Sequence, residues 1–334
     1  MKMISKFFQL LTTAFLLLAG AGCAATANVK TPPADRSVIC VDQSQRRILI
    51  MDAAKKWSDP QSILWSWKAE EDPGIAPQHS RWFSNPDECK PLPEKGLILM
   101  TASGGAAGIL SIPERRLIFY GKAGVNPHSA ELLPDGNLAA ASSTANTLTI
   151  FSVPLKSQEP GTEEPPHAQY PFEDAHGCVW DKAQKLLWVV GGRELAGFEY
   201  NFNKYAPALR KKHSFKLENA PWLPEESFKK YPSAWRNYFG GHDLFPEPGT
   251  NSLFITGNFL VLKFDTRTHK FSLVNTNRAW KSISVNPADK RLIFQKPAKR
   301  WWSESISLQS GPPFTLPGAR FYKGRWFSKN TFSY

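Results

Sequence analysis

Residues 85–92 read Asn-Pro-Asp-Glu-Cys-Lys-Pro-Leu, and residues 126–133 read Asn-Pro-His-Ser-Ala-Glu-Leu-Leu. Each phrase runs into a Pro-containing turn, Pro93-Glu94-Lys95-Gly96 in one case and Pro134-Asp135-Gly136-Asn137 in the other. A strand of small and apolar residues follows at 97–103 and 138–143, then a further one at 107–112 and 147–153. The phrase returns in weaker form as His176-Gly-Cys-Val-Trp180, as His242-Asp-Leu-Phe245 and as Lys281-Ser-Ile-Ser-Val285. Each unit then adds two more strand-like runs, for example 260–265 with 270–274. Four strands in a repeat of roughly 40 to 50 residues describe a propeller blade. Long helical periodicity is absent, which excludes α/β and helical-repeat architectures.

The count closes at six blades. The N-terminal part supplies three strands, at 38–42, 47–51 and 63–67. The missing innermost strand is Phe321-Tyr-Lys-Gly-Arg-Trp-Phe327, left over after the last full unit. Joining the two ends in one blade leaves no free sheet edge in the ring. The sequence therefore predicts an all-β, six-bladed β-propeller over residues 37–328, closed by a C-terminal strand in the N-terminal blade. Innermost strands are expected at 321–327, 87–92, 128–133, 176–180, 242–246 and 281–285.

The phrases Asn126-Pro-His-Ser-Ala-Glu-Leu-Leu-Pro-Asp-Gly-Asn137, Gly241-His-Asp-Leu244 and Tyr322-Lys-Gly-Arg-Trp326 resemble those of a bacterial family of exported propeller-like proteins known only as a domain of unknown function. The resemblance runs from about Val38 to Phe327. It implies the fold and brings no activity. Similarity to WD40 repeats is weaker: Gly241-His242 echoes their Gly-His opening, but their Trp-Asp dipeptide is missing.

Lys2 and Lys6 precede an apolar run at 7–18 and a small-residue stretch, the pattern of a signal peptide over residues 1–27. Two processing routes are open. The stretch Leu18-Ala19-Gly20-Ala21-Gly22-Cys23 resembles a bacterial lipoprotein signal, with Cys23 acylated; Ala25-Thr26-Ala27 offers ordinary cleavage. The first is favoured, although Gly20 stands where Leu is usual. The expected location is periplasmic or anchored by lipid on Cys23 to the inner or outer membrane. No later segment is long and apolar enough for a membrane helix. Cys40, Cys89 and Cys178 are an odd set and read as buried free thiols.

The formal charge is +12. Export argues against nucleic acid and towards an acidic partner: anionic polysaccharide, a uronic acid or a lipid head group. A scattered basic surface without a partner is the plain alternative. A monomer is expected.

Innermost strands line a propeller's channel, and alternate side chains face opposite ways. The repeat places Asp87, His128, His176, His242, Lys281 and Lys323 at one equivalent position, with apolar residues filling the positions beyond. All six are expected near one mouth. His128, His176 and His242, with Asp87 as a fourth ligand, suit a divalent transition metal: zinc, manganese, iron or nickel. Lys281 and Lys323 can hold an anionic oxygen or act as a base. The same histidines can equally serve only to hydrogen-bond neighbouring loop backbone, and the lysines to pair with Asp87. An insertion at 219–240 carries Trp222, Tyr231, Trp235 and Arg236, aromatic and cationic residues suited to sugar rings and carboxylates. A second loop, 73–86, brings His79, Arg81 and Trp82 towards the same face.

Three functions stay open. The first is an exported module that binds a metal ion or an acidic, uronate-like saccharide. The second is a metal-dependent lyase on acidic oligosaccharides, with Lys281 or Lys323 as base. The third is a protein-interaction scaffold. No nucleotide loop, Ser-based elbow or HExxH motif occurs.

Overall fold

A computed structural model describes residues 31–154, 167–217, 238–276 and 279–334. Cys23 and the insertion residues Trp222, Tyr231, Trp235 and Arg236 lie outside the described residues. Six four-stranded antiparallel sheets form the blades. The first pairs the C-terminal strand Phe321–Trp326 with Ser37–Asp42, Arg47–Asp52 and Ile63–Lys68, which is the predicted closure. The other innermost strands are Pro86–Leu92, Pro127–Leu132, Gly177–Asp181, Gly241–Pro246 and Ser282–Val285. These six strands neighbour one another in ring order, from blade one round to blade six and back.

The alternation of apolar residues explains the packing. Along a strand one face meets the preceding blade and the other the next. Each of the six seams is accordingly filled by its own apolar cluster, such as Val179, Trp188, Leu244 and Ile255 between blades four and five. Burying each such aliphatic chain contributes about 1.5–3 kcal/mol. Cys40, Cys89 and Cys178 are buried free thiols in these blades, as expected. Among the described residues no helix is long and apolar enough to cross a membrane.

Beyond the closing strand, residues 328–334 lie across the end of the channel formed by the C-terminal ends of the inner strands. Phe332 packs against the cluster of blades four and five, and Lys182 donates to the carbonyl oxygen of Tyr334. The Tyr334 hydroxyl donates to Glu131 Oε1 at 2.6 Å. Glu131 is 1% exposed, so its oxygens depend on protein donors. Tyr334→Phe is expected to cost about 1–2 kcal/mol, read as a lower urea midpoint with an unchanged slope.

Candidate functional site

The open mouth is built by a backbone device repeated in the blades. The residue two before each mouth position has a positive φ: Asn85 (51°), Asn126 (61°), Asp174 (51°), Gly240 (63°) and Ala279 (54°). Gly, Asn and Asp accept that left-handed conformation most readily. Ala279 does not, so Ala279→Gly is expected to raise stability by about 0.5–1 kcal/mol in thermal or urea unfolding. Pairing with the second strand then slips by one residue. The slip leaves Asp87 unpaired between Pro86 and Glu88, His128 between Pro127 and Ser129, and His242 between Gly241 and Asp243. A β-bulge of this kind re-aims a side chain at a strand end. It turns Asp87, His128 and His242 to the mouth while Glu88 and Lys90, next along the strand, also reach the channel.

The bulge corrects the sixth position. In blade one the register slips between Phe321 and Gly324, and Tyr322, not Lys323, lines the mouth. Lys323 is fully buried one layer deeper. Its ammonium bonds Asp243 Oδ1 at 3.1 Å, Glu88 Oε2 at 3.3 Å and the carbonyl of His128 at 2.8 Å. It does not pair with Asp87. A base at the mouth is therefore not available from Lys323.

The positions beyond the ring are also charged rather than apolar. Arg325, in the closing strand, grips Glu88 of blade two through Nε and Nη2 at 2.9 and 2.7 Å. It grips Asp243 of blade five through Nη1 and Nη2 at 2.9 and 2.8 Å. Lys90 pairs with Glu131 at 2.9 Å two residues further along the inner strands, towards the end covered by residues 328–334. Burial opposes ionisation of Glu88 and Asp243, but Arg325 and then Lys323 outweigh it and hold both carboxyls below their usual range. Strict alternation hides these residues, because the bulge puts two consecutive residues on the channel side.

At the mouth the three histidines come together. The rings of His128 and His176 stack at 4.4 Å and 7°, and His176 meets His242 edge to face at 5.4 Å. His176 Nδ1 donates to the Asp174 carbonyl at 2.9 Å, which is the backbone-locking role weighed above. His242 Nε2 donates to Asn258 Oδ1 at 2.8 Å, and the Lys281 ammonium lies 3.0 Å from Nε2 and 3.2 Å from Nδ1, of which Nδ1 is the nitrogen left to accept. His128 Nδ1 lies 3.2 Å from the Tyr322 hydroxyl. Burial, then neighbouring positive charge, pushes His128 and His242 well below the ordinary histidine range, so both stay neutral. Burial raises Asp87 well above the carboxylate range, only partly offset by the hydrogen bond from Ser103. The 3.9 Å contact of Asp87 with His128 is thus between groups that favour their neutral forms.

Neutral imidazole is the form that binds metals. A metal needs in-plane lone pairs aimed at one point, whereas parallel stacked rings aim theirs side by side. Among the described residues no group of three or more His, Cys, Asp or Glu is placed to hold a metal ion.

The cleft at this mouth has a volume of about 290 Å³. Asn85, Ser103, Asn126 and Tyr322 line it together with Asp87, His128, His176, Lys281, Gln43 and Trp301. Lys281 is the one cation among them. Burial, reinforced by the charge of Lys323 and opposed by Asp174, lowers its pKa to about 8. Among the described residues it forms no ion pair with a carboxylate. Gln43 and Trp301 come from loops of blades one and six and share no repeat position, so the repeat could not reveal them. The described end of the long insertion reaches this rim, where the Tyr238 hydroxyl donates to Asp174 Oδ2. His79 and Trp82 of the other loop stack on each other at 3.8 Å and pack around Tyr120 on the outer strand of blade two, and neither they nor Arg81 line the cleft.

Comparison with known proteins places the fold. A chain of the mitotic checkpoint complex is 12% identical, with a TM-score of 0.51 over 83% of this chain and 74% of that one. U3-55K is 9% identical at a TM-score of 0.44 over 68% of this chain. The dihydro-heme d1 dehydrogenase NirN, in complex with DHE, is 12% identical at 0.43 over 82% of this chain. The chain spans 61% of U3-55K and 51% of NirN, and at these identities the likeness is one of fold alone. No curated protein matches the chain. One family model, described as a family of unknown function (DUF6528), matches residues 4–334.

Proposed function

We propose that this chain, which belongs to the DUF6528 family of unknown function, binds an acidic, uronate-like saccharide at the open mouth of its channel. The observation that carries the reading is Lys281. Its ammonium is half-buried, lines a polar cleft together with the neutral His128, and has no carboxylate within ion-pair distance among the described residues. A desolvated charge without a counter-charge is costly, and such groups collect where ligands bind. A ligand carboxylate would supply the missing partner through a charge-assisted hydrogen bond. The surrounding Asn, Ser, Tyr and neutral His side chains offer both donors and acceptors, which hydroxyl groups require. The overall charge of +12 favours the approach of an acidic molecule.

Calorimetric titration with D-galacturonate and with D-galactose tests this. The acid should bind and the neutral sugar should bind about tenfold more weakly or less, the value of one charge-assisted contact. Equal affinity for both would contradict the proposal. A transition metal is the competing occupant. Elemental analysis finding near-stoichiometric metal, lost in His176→Ala, would make the mouth a cation site instead.

A second reading, β-elimination on an acidic oligosaccharide, is favoured by one observation: Lys281 has a pKa of about 8, suited to a general base near neutral pH. It predicts an unsaturated uronide product, absent in Lys281→Ala.

A further inference from the structure

Trp301 stands out at the rim. It is 42% exposed, yet it is held firmly. Its Nε1–H donates to Gln43 Oε1 at 2.9 Å, and Gln43 Nε2 donates to Asp87 Oδ1 at 3.0 Å. The indole of blade six is thus tied through blade one to the buried carboxyl group of Asp87 in blade two. Tying the edge satisfies the only polar atom of the side chain and leaves apolar ring surface beside a polar cleft. A pyranose presents the matching pattern, a face of C–H groups bordered by hydroxyls. A rigid aromatic ring offers such a partner large contact area at low entropy cost. The Arg300 guanidinium lies 5.9 Å from the same indole centroid and brings a second cation to the rim.

We propose that Trp301 is the stacking platform of a second sugar subsite, so that the mouth takes an acidic oligosaccharide with one uronate at Lys281 and the next ring on Trp301. The proposal rests on the reading that Lys281 holds a carboxylate. Arg300 beside the platform selects a second acidic ring over a neutral one, which makes the ligand a repeating uronide rather than a single uronic acid.

The test compares D-galacturonate with trigalacturonate by calorimetry on the full chain. The trimer should bind wild-type protein about tenfold more tightly than the monomer. Trp301→Ala should weaken the trimer several-fold more than the monomer, bringing the two to within about twofold, and Trp301→Phe should keep most of the preference. Trp301 is exposed, so neither variant threatens folding. The inference alone fails if the monomer binds in a Lys281-dependent way but the trimer gains nothing. It also fails alone if Trp301→Ala weakens both probes equally. If wild-type protein binds neither probe, this inference and the reading beneath it fail together.

Discussion

Arg325→Met should destabilise the propeller by about 3–5 kcal/mol, the usual cost of leaving buried charges without their partner. Glu88 and Asp243 are both fully buried, and Arg325 supplies four of their hydrogen bonds. Lys323 alone would then face two carboxylates. Because Arg325 sits in the strand that closes the ring, and its partners in blades two and five, the variant also loosens the closure itself. Replacing the whole cluster behaves differently. Glu88→Leu and Asp243→Leu together with Arg325→Met and Lys323→Met should recover much of the loss, since apolar residues of similar volume often substitute for a buried ionic cluster at no net cost. Urea unfolding of the single and quadruple variants checks both. An Arg325→Met protein as stable as wild type would show that the charges are not coupled as described.

The same cluster sets an acid limit. Glu88 and Asp243 have folded-state pKa values below their unfolded ones. Their contribution is complete above the unfolded carboxylate range of about 4 and is lost as pH falls through the depressed folded values. The neutral histidines add to this, because His128 and His242 resist protonation in the fold and begin to oppose it below about pH 6.5.

Lys281→Met should weaken galacturonate binding by about tenfold to a hundredfold, with little change in stability. The methionine keeps the stem that packs in the cleft and removes only the charge. Stability should hold because no carboxylate among the described residues is directly ion-paired with this ammonium, and Asp174, which feels its charge, keeps His176 and Tyr238 as partners. His242 loses one donor to Nδ1 but keeps Asn258 at Nε2. A variant that binds galacturonate as well as wild type would place the acid elsewhere. One that loses stability as well would make Lys281 structural.

The blade count and the closing strand were legible because turns and strands repeat at fixed spacing. The Asn-Pro phrases at Asn85 and Asn126 also marked the mouth, since Asn is suited to the positive φ found there. The layer beneath was not legible. Alternation assigns Cys89 to the channel after Asp87, whereas the bulge hands that side to Glu88 and Lys90. In the closing strand the same slip exchanged Tyr322 for Lys323. A bulge leaves no residue signature strong enough to override period-two reasoning, although the charged residues Glu88, Lys90, Asp243 and Arg325 within inner strands are a sign of it. Trp301 and Gln43 come from non-repeated loops, and only the folded chain brings them to the cleft.

The central claim is that the Lys281 ammonium receives an anion at the mouth. The direct measurement is the affinity of wild-type protein for D-galacturonate across the alkaline range. The sugar stays an anion throughout, so the protein alone titrates. Lys281 is cationic below its pKa of about 8 and neutral above it. Affinity should hold at neutral pH and fall as pH rises through about 8, with the fall absent in Lys281→Met. A wild-type affinity and pH profile indistinguishable from those of Lys281→Met would contradict the account.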